Sequence, residues 1–113
     1  MENTFGPLLK EVRRSKQVSQ RELAERVGVD FSYISKIENN RLAPPAADTI
    51  IKICEALEVP SEVLLAHAGK VSSEMKDAIT ASPAAVRFMN EIKTMKLTDD
   101  EWGKLSDNLK KLR

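Results

Sequence analysis

The stretch RELAERVGVDFSYISKIEN, residues 21–39, contains two short amphipathic patterns separated by a glycine. Two helices that cross at about 90–120° need a turn residue that tolerates positive φ, which Gly28 provides. They also need a small side chain where their backbones approach, which Ala24 provides, and Val29 fills the corner. The inward positions are Leu23, Ala24 and Val27 in the first helix and Ile34 and Ile37 in the second. The stretch therefore predicts two helices joined by a tight turn.

The rest of the chain also has helical periodicity, and no period-2 strand pattern of useful length appears. Ser19 with Glu22, and Thr98 with Glu101, have the spacing of a capping box, and Asp30 suits the N-cap of the third helix. Pro44-Pro45 forces an extended break. The predicted inward sets are Leu8, Leu9 and Val12 in the first helix, Ile50, Ile51, Ile53, Cys54 and Leu57 in the fourth, and Val63, Leu64 and Leu65 in the fifth, which ends at Gly69.

Composition sets the broad class. The 113 residues contain 18 Lys and Arg against 17 Asp and Glu, so no global charge favours a polyanion. Residues 1–45 are locally basic, with eight basic against six acidic side chains, while residues 46–69 have one against four. With one cysteine, no secretory signal and no apolar run of about 18 residues, we expect a cytoplasmic protein without disulfides or membrane spans.

The turn pattern resembles the helix-turn-helix of the Xre family, the Cro/CI-like repressors, and NNRLAPPAADTIIKICEALEVPSEVLL, residues 39–65, resembles that family's continuation into helices four and five. The resemblance covers residues 5–69. It implies an all-α fold, with a five-helix lambda-repressor-like DNA-binding domain at residues 1–70. A C-terminal segment of two or three helices, residues 71–113, then serves for dimerisation or interaction.

The third helix carries the expected base contacts. At about 100° per residue, small polar side chains and one cation fall opposite Ile34 and Ile37, as suits a helix that enters the major groove. The resemblance implies that the base-contacting residues are Phe31, Ser32, Ser35 and Lys36. Two alternatives stay open, because the serines also suit a solvated polar face and Phe31 also suits packing against the second helix.

Phosphate contacts are expected at the edges of the motif. Gln20 begins its helix, where free backbone N–H groups favour an anion, and similar proteins have a glutamine there. The phosphate-binding candidates are Gln20, Arg21, Tyr33, Asn39 and Arg41, with Arg14 as a further surface arginine. The resemblance also implies an ion pair between Arg13 in the first helix and Glu38 in the third, with a structural role.

An enzyme or metal protein is not expected. His67 and Cys54 are the only histidine and cysteine, which excludes the usual zinc patterns. Cys54 falls among isoleucines and fits a buried thiol, and the acidic run Asp99-Asp100-Glu101 suits the first turn of a helix. The sequence predicts neither a cofactor nor catalytic residues.

The tail needs a separate explanation, because two short amphipathic helices are only marginally stable alone. Ser82-Pro83 predicts the start of one and Thr98 the start of the other. Their apolar stripes, the predicted dimerisation residues, are Phe88, Ile92 and Met95, and Trp102, Leu105, Leu109 and Leu112. The exposed side of helix five, around Glu62 and Ala66, is the competing dimer surface.

The resemblance implies a homodimeric repressor that binds double-stranded DNA at a near-palindromic operator. Its layout is similar to repressors of prophages and defence islands, some of which are released by a protease or another partner protein. An antitoxin that autoregulates through the same head, its tail capturing a toxin, is the alternative, and a restriction–modification controller has the same head. An adaptor that no longer binds DNA is disfavoured by Gln20, Ser32, Ser35 and Lys36.

Overall fold

The computed structural model describes residues 4–113, which form helices joined by short loops and include no strand. The helices are α1 (Phe5–Ser15), α2 (Gln20–Val27), α3 (Phe31–Glu38), α4 (Ala47–Leu57), α5 (Glu62–Ala68), α6 (Ser73–Ile79), α7 (Pro83–Ile92) and α8 (Asp99–Lys110). The predicted all-α fold class is confirmed. The chain divides into two compact units, the first ending at Glu74 and the second running from Met75 to Arg113. The predicted division at residue 70 stays a prediction.

The first unit has one hydrophobic core, to which α1 to α5 all contribute. Its buried apolar residues are Phe5, Leu9, Val18, Leu23, Ala24, Ile34, Ile37, Ile50, Ile53, Cys54, Leu57 and Leu64. Each helix contributes one narrow apolar stripe, so that five short helices share a core that none of them could bury alone. Phe5 and Val18 lie outside the predicted inward sets, and both are buried in this core.

The capping box predicted from Ser19 and Glu22 at the start of α2 is confirmed. Ser19 Oγ accepts a hydrogen bond from the Glu22 backbone N–H at 3.0 Å, and the Ser19 N–H donates to Glu22 Oε1 at 3.4 Å. Asp30 occupies the N-cap of α3, but its side chain makes no capping hydrogen bond. Asp30 therefore begins the helix through its extended backbone conformation alone.

One predicted core position is exposed in the structure, and five others are only partly buried. Val63 was expected on the inner face of α5, but that prediction was wrong, because Val63 is 58% exposed whereas the adjacent Leu64 is 2% exposed. α5 has seven residues, so it presents only about two turns to the core and has room for one central side chain. The residues that are only partly buried are Leu8, Val12, Val27, Ile51 and Leu65.

At Gly6 the backbone of α1 lies directly against the C-terminal end of α3. A Cβ added to Gly6 would lie 2.8 Å from the Glu38 carbonyl oxygen and 2.5 Å from Asn40 Oδ1, and closer still to the Ile37 carbonyl oxygen. A side chain has no room there, so glycine is required by backbone contact and not by its φ angle. The first turn of α1 thereby rests on the C-terminal end of α3.

The second unit contains α7, α8 and most of α6. Ser82 Oγ caps α7 by accepting from the Ala85 N–H at 3.2 Å. Thr98 and Glu101 form the predicted capping box of α8, with distances of 3.2 Å and 3.0 Å. α7 and α8 are therefore capped at their N-termini. No residue of 75–113 is buried, so the helices of the second unit enclose no hydrophobic core of their own.

Candidate nucleic-acid interface

The turn between α2 and α3 has the geometry that its sequence predicts. Gly28 has φ 84° and ψ 33°, the left-handed conformation that glycine adopts without strain. The N–H groups of Gly28 and Val29 both donate to the Ala24 carbonyl oxygen, at 2.8 Å and 2.9 Å. Ala24 itself is 3% exposed. Its methyl group fits the closest approach of the helices, and the turn fixes the direction in which α3 leaves α2.

One face of α3 is buried and the opposite face is open. Ile34 and Ile37 are 0% and 1% exposed and hold the helix against the core. Ser32 and Lys36 are exposed on the other side, and Ser35 is half-buried between the two faces. The open face therefore presents hydroxyl groups and one ammonium group on a rigid helix, which is the chemistry that meets base edges in a major groove.

Phe31, the first residue of α3, lies under Arg21 of α2. The Arg21 Cζ atom is 4.4 Å from the centroid of the Phe31 ring, a cation–π geometry. The ring remains 36% exposed. Of the two alternatives that the sequence left open, the ring thus contacts the second helix and still presents one edge to solvent. The cation–π contact favours this orientation of the Arg21 side chain.

Arg13 and Glu38 form a bidentate ion pair inside the first unit. Arg13 Nε donates to Glu38 Oε2 at 2.7 Å, and Arg13 Nη2 donates to Oε1 at 2.9 Å. The third donor, Nη1, reaches the Val18 carbonyl oxygen at 2.9 Å. The exposed fractions of the Arg13 and Glu38 side chains are 9% and 0%. The pair connects α1 to the last residue of α3 and to the loop before α2.

Gln20 joins this pair, a contact that sequence reasoning did not anticipate. Its Nε2 donates to Glu38 Oε1 at 2.9 Å, so the same oxygen accepts from both Gln20 and Arg13. An amide nitrogen carries two protons, and one of them remains for another acceptor. The buried carboxylate of Glu38 thus determines where the Gln20 amide points. No local spacing signals this contact, because it spans 18 positions along the chain.

The other predicted phosphate-binding side chains differ in how available they are to a phosphate. Asn39 Nδ2 donates to the Ser35 carbonyl oxygen at 2.9 Å, so this amide is directed back to its own helix. Tyr33 is half-buried and packs against the core. Arg41 is exposed, and its backbone N–H donates to the Lys36 carbonyl oxygen at 2.8 Å. Arg41 is thus held just beyond the end of α3.

A concave basic surface lies beside the start of α2. Its lining residues are Lys10, Arg13, Arg14, Ser19, Gln20, Arg21 and Phe31. Lys10, Arg14 and Arg21 are at least partly exposed, while Arg13 is neutralised by its buried partner. This cluster of cations adjoins the N-terminus of α2, where the helix dipole also favours negative charge. The surface is therefore suited to a phosphate group.

The isolated cysteine and histidine offer no reactive centre. Cys54 is 1% exposed, and burial together with the negative charge of Glu62 raises the pKa of its thiol to about 11. His67 Nδ1 lies 2.7 Å from Thr4 Oγ1 and takes part in a hydrogen bond between α5 and the N-cap of α1. Across residues 4–113, no three His, Cys, Asp or Glu side chains are grouped as metal ligands.

The second unit exposes its apolar stripes. The exposed fractions of Phe88 and Trp102 are each 44%, and those of Leu109 and Leu112 are 63% and 78%. An open groove between these side chains is lined by Phe88, Trp102, Leu105, Ser106, Asn108, Leu109 and Leu112. Large apolar side chains exposed close together in this way are typical of an interaction surface. In the described part of the chain, no helix is long and apolar enough to span a membrane.

Comparison with known proteins identifies relatives for this arrangement. The helix-turn-helix family HTH_3 matches residues 9–64. An uncharacterized HTH-type transcriptional regulator of Mycobacterium tuberculosis is 36% identical over 91 residues, which are 77% of this chain and 64% of that protein. This chain spans between half and about two thirds of the length of three of the curated relatives that it matches, and 85% of the length of SinR from Bacillus subtilis, to which it is 32% identical.

Two solved structures are similar in fold and sequence. The master regulator for biofilm formation SinR, in complex with DNA, is 38% identical with a TM-score of 0.51, over 54% of this chain and 97% of that one. The SinR protein/SinI protein complex is 27% identical with a TM-score of 0.52, over 94% of each chain. The first likeness thus covers about half of this chain, and the second covers almost all of it.

Proposed function

Because the chain belongs to the helix-turn-helix family HTH_3 of DNA-binding transcriptional regulators, we propose that it is a sequence-specific repressor that acts as a dimer. The observation that carries this proposal is the open face of α3, where Ser32 and Lys36 project opposite the buried Ile34 and Ile37. Such a regulator acts where the chromosome is, which in its bacterial relatives is the cytoplasm.

On this proposal α3 enters the major groove. The Lys36 ammonium group donates to guanine O6 or N7, and the hydroxyls of Ser32 and Ser35 bond to either base pair. Arg21 lies over one face of the Phe31 ring, and the exposed part of the ring meets a thymine methyl group. These four residues determine which operator sequence is bound.

Backbone phosphates are bound around this helix. The remaining proton of the Gln20 amide and the basic surface beside α2 meet one phosphate, with Arg21 at its edge. Arg41, held beyond the end of α3, meets a second phosphate on the other side of the groove. Tyr33 and Asn39 are weaker contributors, because Tyr33 is half-buried and Asn39 is bonded to its own helix. These contacts set position and register but carry no sequence information.

Dimerisation provides the second half of the binding site. One recognition helix makes few base contacts, whereas two that lie about 34 Å apart contact two half-sites of a near-palindrome. The exposed stripes of α7 and α8 are the proposed dimer surface, because they leave Phe88, Met95, Trp102, Leu109 and Leu112 exposed. A dimer bound across a promoter excludes the polymerase, which is the simplest form of repression.

Release of the operator is proposed to come from a partner protein that binds the second unit. SinR, to which this chain is similar over 94% of its length, is found in a complex with the SinI protein. The apolar stripes of residues 75–113 are open to such a partner. A partner that occupies them would separate the two chains and weaken operator binding.

The proposal is tested by fluorescence anisotropy of the full chain on DNA from upstream of its own gene, at two salt concentrations. We expect tight binding with a steep salt slope, and a loss of roughly 5- to 150-fold in Lys36→Ala, which corresponds to about 1–3 kcal/mol for one base contact. Lys52→Ala, an exposed lysine on α4, is the matched control and should bind normally. Equal affinity for random DNA would contradict a sequence-specific role.

A chain that ends at Glu74 tests the dimer. All of the buried apolar residues lie between Phe5 and Leu64, so we expect this fragment to fold. It should sediment as a monomer and lose tight operator binding. A fragment that remains dimeric would place the dimer surface within residues 1–74, where the exposed side of α5 is the competing candidate.

A further inference from the structure

The charges of α8 are arranged asymmetrically along its length. Its first turn carries Asp99, Asp100 and Glu101, and its C-terminal end carries Lys110 and the residues that follow, Lys111 and Arg113. Within one chain, Asp100 is partly neutralised by Lys104 at 3.2 Å, on the outer side of the helix. No ion pair within residues 4–113 engages Asp99 or Lys110. Each end of α8 therefore carries charge that complements the opposite end of an identical helix.

An apolar stripe connects these two ends. Trp102, Leu105 and Leu109 fall on one side of α8 at about 100° per residue, and Leu112 extends the stripe. Trp102 is 44% exposed and Leu109 is 63% exposed. Asp99, Ser106 and Lys110 all fall along the same flank of this stripe, and Glu101 and Asn108 fall along the other.

We propose that α8 pairs antiparallel with α8 of a second copy of this chain, with Leu105 at the two-fold axis. The inference rests on the proposed dimer and adds the helix, the direction and the register. The occupant of the stripe is a second copy because the charges of α8 complement those of α8 itself when its direction is reversed. A parallel pair would instead place the three acidic side chains of both chains together, and both helix dipoles in the same direction.

One register satisfies the charges and the apolar contacts together. With Leu105 beside Leu105 of the second copy, Trp102 lies within one residue, about 1.5 Å along the axis, of the level of Leu109 of the second copy. Asp99 lies equally close to the level of Lys110 of the second copy. In an antiparallel pair the same flank of each helix faces its counterpart, and Asp99 and Lys110 share a flank. The carboxylate and the ammonium group therefore meet at the edge of the apolar seam, where an ion pair contributes direction and register more than affinity.

The first test asks whether this face of α8 lies in the interface. Ser106 is one position from the proposed axis, so the two copies of position 106 are offset by only about 3 Å along the helices. The full-length variant Ser106→Cys should form a covalent dimer on mild oxidation. The wild-type chain is the control, because its single cysteine, Cys54, is buried and should not cross-link. A Ser106→Cys protein that sediments as a dimer but does not cross-link would overturn the proposal and favour another surface, such as α5.

The second test distinguishes the two directions. In the proposed register the two copies of position 99 are about 18 Å apart along the axis, and those of position 110 about 15 Å apart, beyond the reach of a disulfide. Asp99→Cys alone and Lys110→Cys alone should therefore stay uncross-linked. When the two variants are mixed under reducing conditions and then oxidised, the mixed disulfide should form, identified by its mass. Cross-linking of Asp99→Cys with itself would establish parallel pairing and refute the inference.

Operator binding separates the failure of this inference from failure of the proposed function. Anisotropy is measured for each cysteine variant in its reduced form on the upstream DNA. Sequence-specific binding by dimers that give no mixed disulfide would refute the pairing of α8 and leave the repressor proposal intact. A mixed disulfide in a chain that binds all DNA equally would support the pairing and remove the proposed function.

Discussion

Replacement of Arg13 by alanine removes the three hydrogen bonds by which this side chain connects α1 to Glu38 and to the Val18 carbonyl oxygen. The Glu38 side chain is 0% exposed, so its carboxylate would keep only the Gln20 amide as a partner. Removal of one member of a buried ion pair costs about 3–5 kcal/mol, because the remaining charge is left uncompensated. That is a large part of the roughly 5–15 kcal/mol that stabilises a small domain.

The expected result is a lower melting temperature together with weaker operator binding. For a domain of this size, each kcal/mol shifts Tm by about 4–8 °C, so Arg13→Ala should melt roughly 12–40 °C lower. Circular dichroism of the full chain on heating measures this shift, and urea titration measures the free energy of unfolding. Arg14→Ala is the matched control, since Arg14 is an exposed arginine on the same helix and should change stability by less than about 0.5 kcal/mol.

A double replacement separates the charge from the packing. Arg13→Met with Glu38→Leu replaces both charges by apolar side chains of similar size, which often restores stability. We expect the double variant to unfold at a higher temperature than Arg13→Ala. The reasoning would be refuted by an Arg13→Ala protein with unchanged Tm that no longer binds the operator, because Arg13 would then contact DNA instead of holding α1 to α3.

Two further predictions follow from the first unit. Gly6→Ala should lower the urea midpoint markedly, since its Cβ would lie 2.8 Å from the Glu38 carbonyl oxygen. Gly103→Ala, whose Cβ would have no atom within 4 Å, should instead stabilise α8 by up to about 1 kcal/mol. Equal changes of the urea midpoint in the two variants would contradict the close contact at Gly6. The raised thiol pKa of Cys54, about 11 against 9.0, means that above pH 9 the unfolded chain loses a proton which the folded chain retains. Stability should therefore fall as pH rises from about 9 to 11, by an amount on the order of 2–3 kcal/mol. Urea titrations across this range should show a shallower decline for Cys54→Ala, and identical declines would exclude the thiol as a cause.

Local signals in the sequence were sufficient for most of the fold. A capping box lies within four residues, so Ser19 with Glu22 and Thr98 with Glu101 were identified from spacing alone. Gly28 was identified because the left-handed turn requires, at one position, a residue that tolerates positive φ. Val63 was misplaced because periodicity is weakly defined in a helix of seven residues, where a shift of one position moves the predicted face by about 100°.

The site was less predictable where it depends on contacts between distant residues. The hydrogen bond between the Gln20 amide and Glu38 depends on the packing of α2 and α3, so no local sequence pattern predicts this contact. Likewise no local pattern in the sequence identified Gly6 as a required glycine, because the atoms that exclude a side chain there belong to α3 and to the residue Asn40 after it. The pairing of Arg13 with Glu38 was expected only through resemblance to a family, and spacing alone would not have selected it.

The division of α3 into a buried and an open face has an evolutionary consequence. Ile34, Ile37 and Glu38 stabilise the fold, whereas Ser32 and Lys36 project from the opposite side and contribute little to it. On the proposed function, substitutions at Ser32 and Lys36 change the preferred operator without unfolding the protein. After gene duplication, a copy of this chain could therefore diverge to a new target sequence through few substitutions, each with little effect on stability. An engineer could randomise the same two positions to redirect the protein.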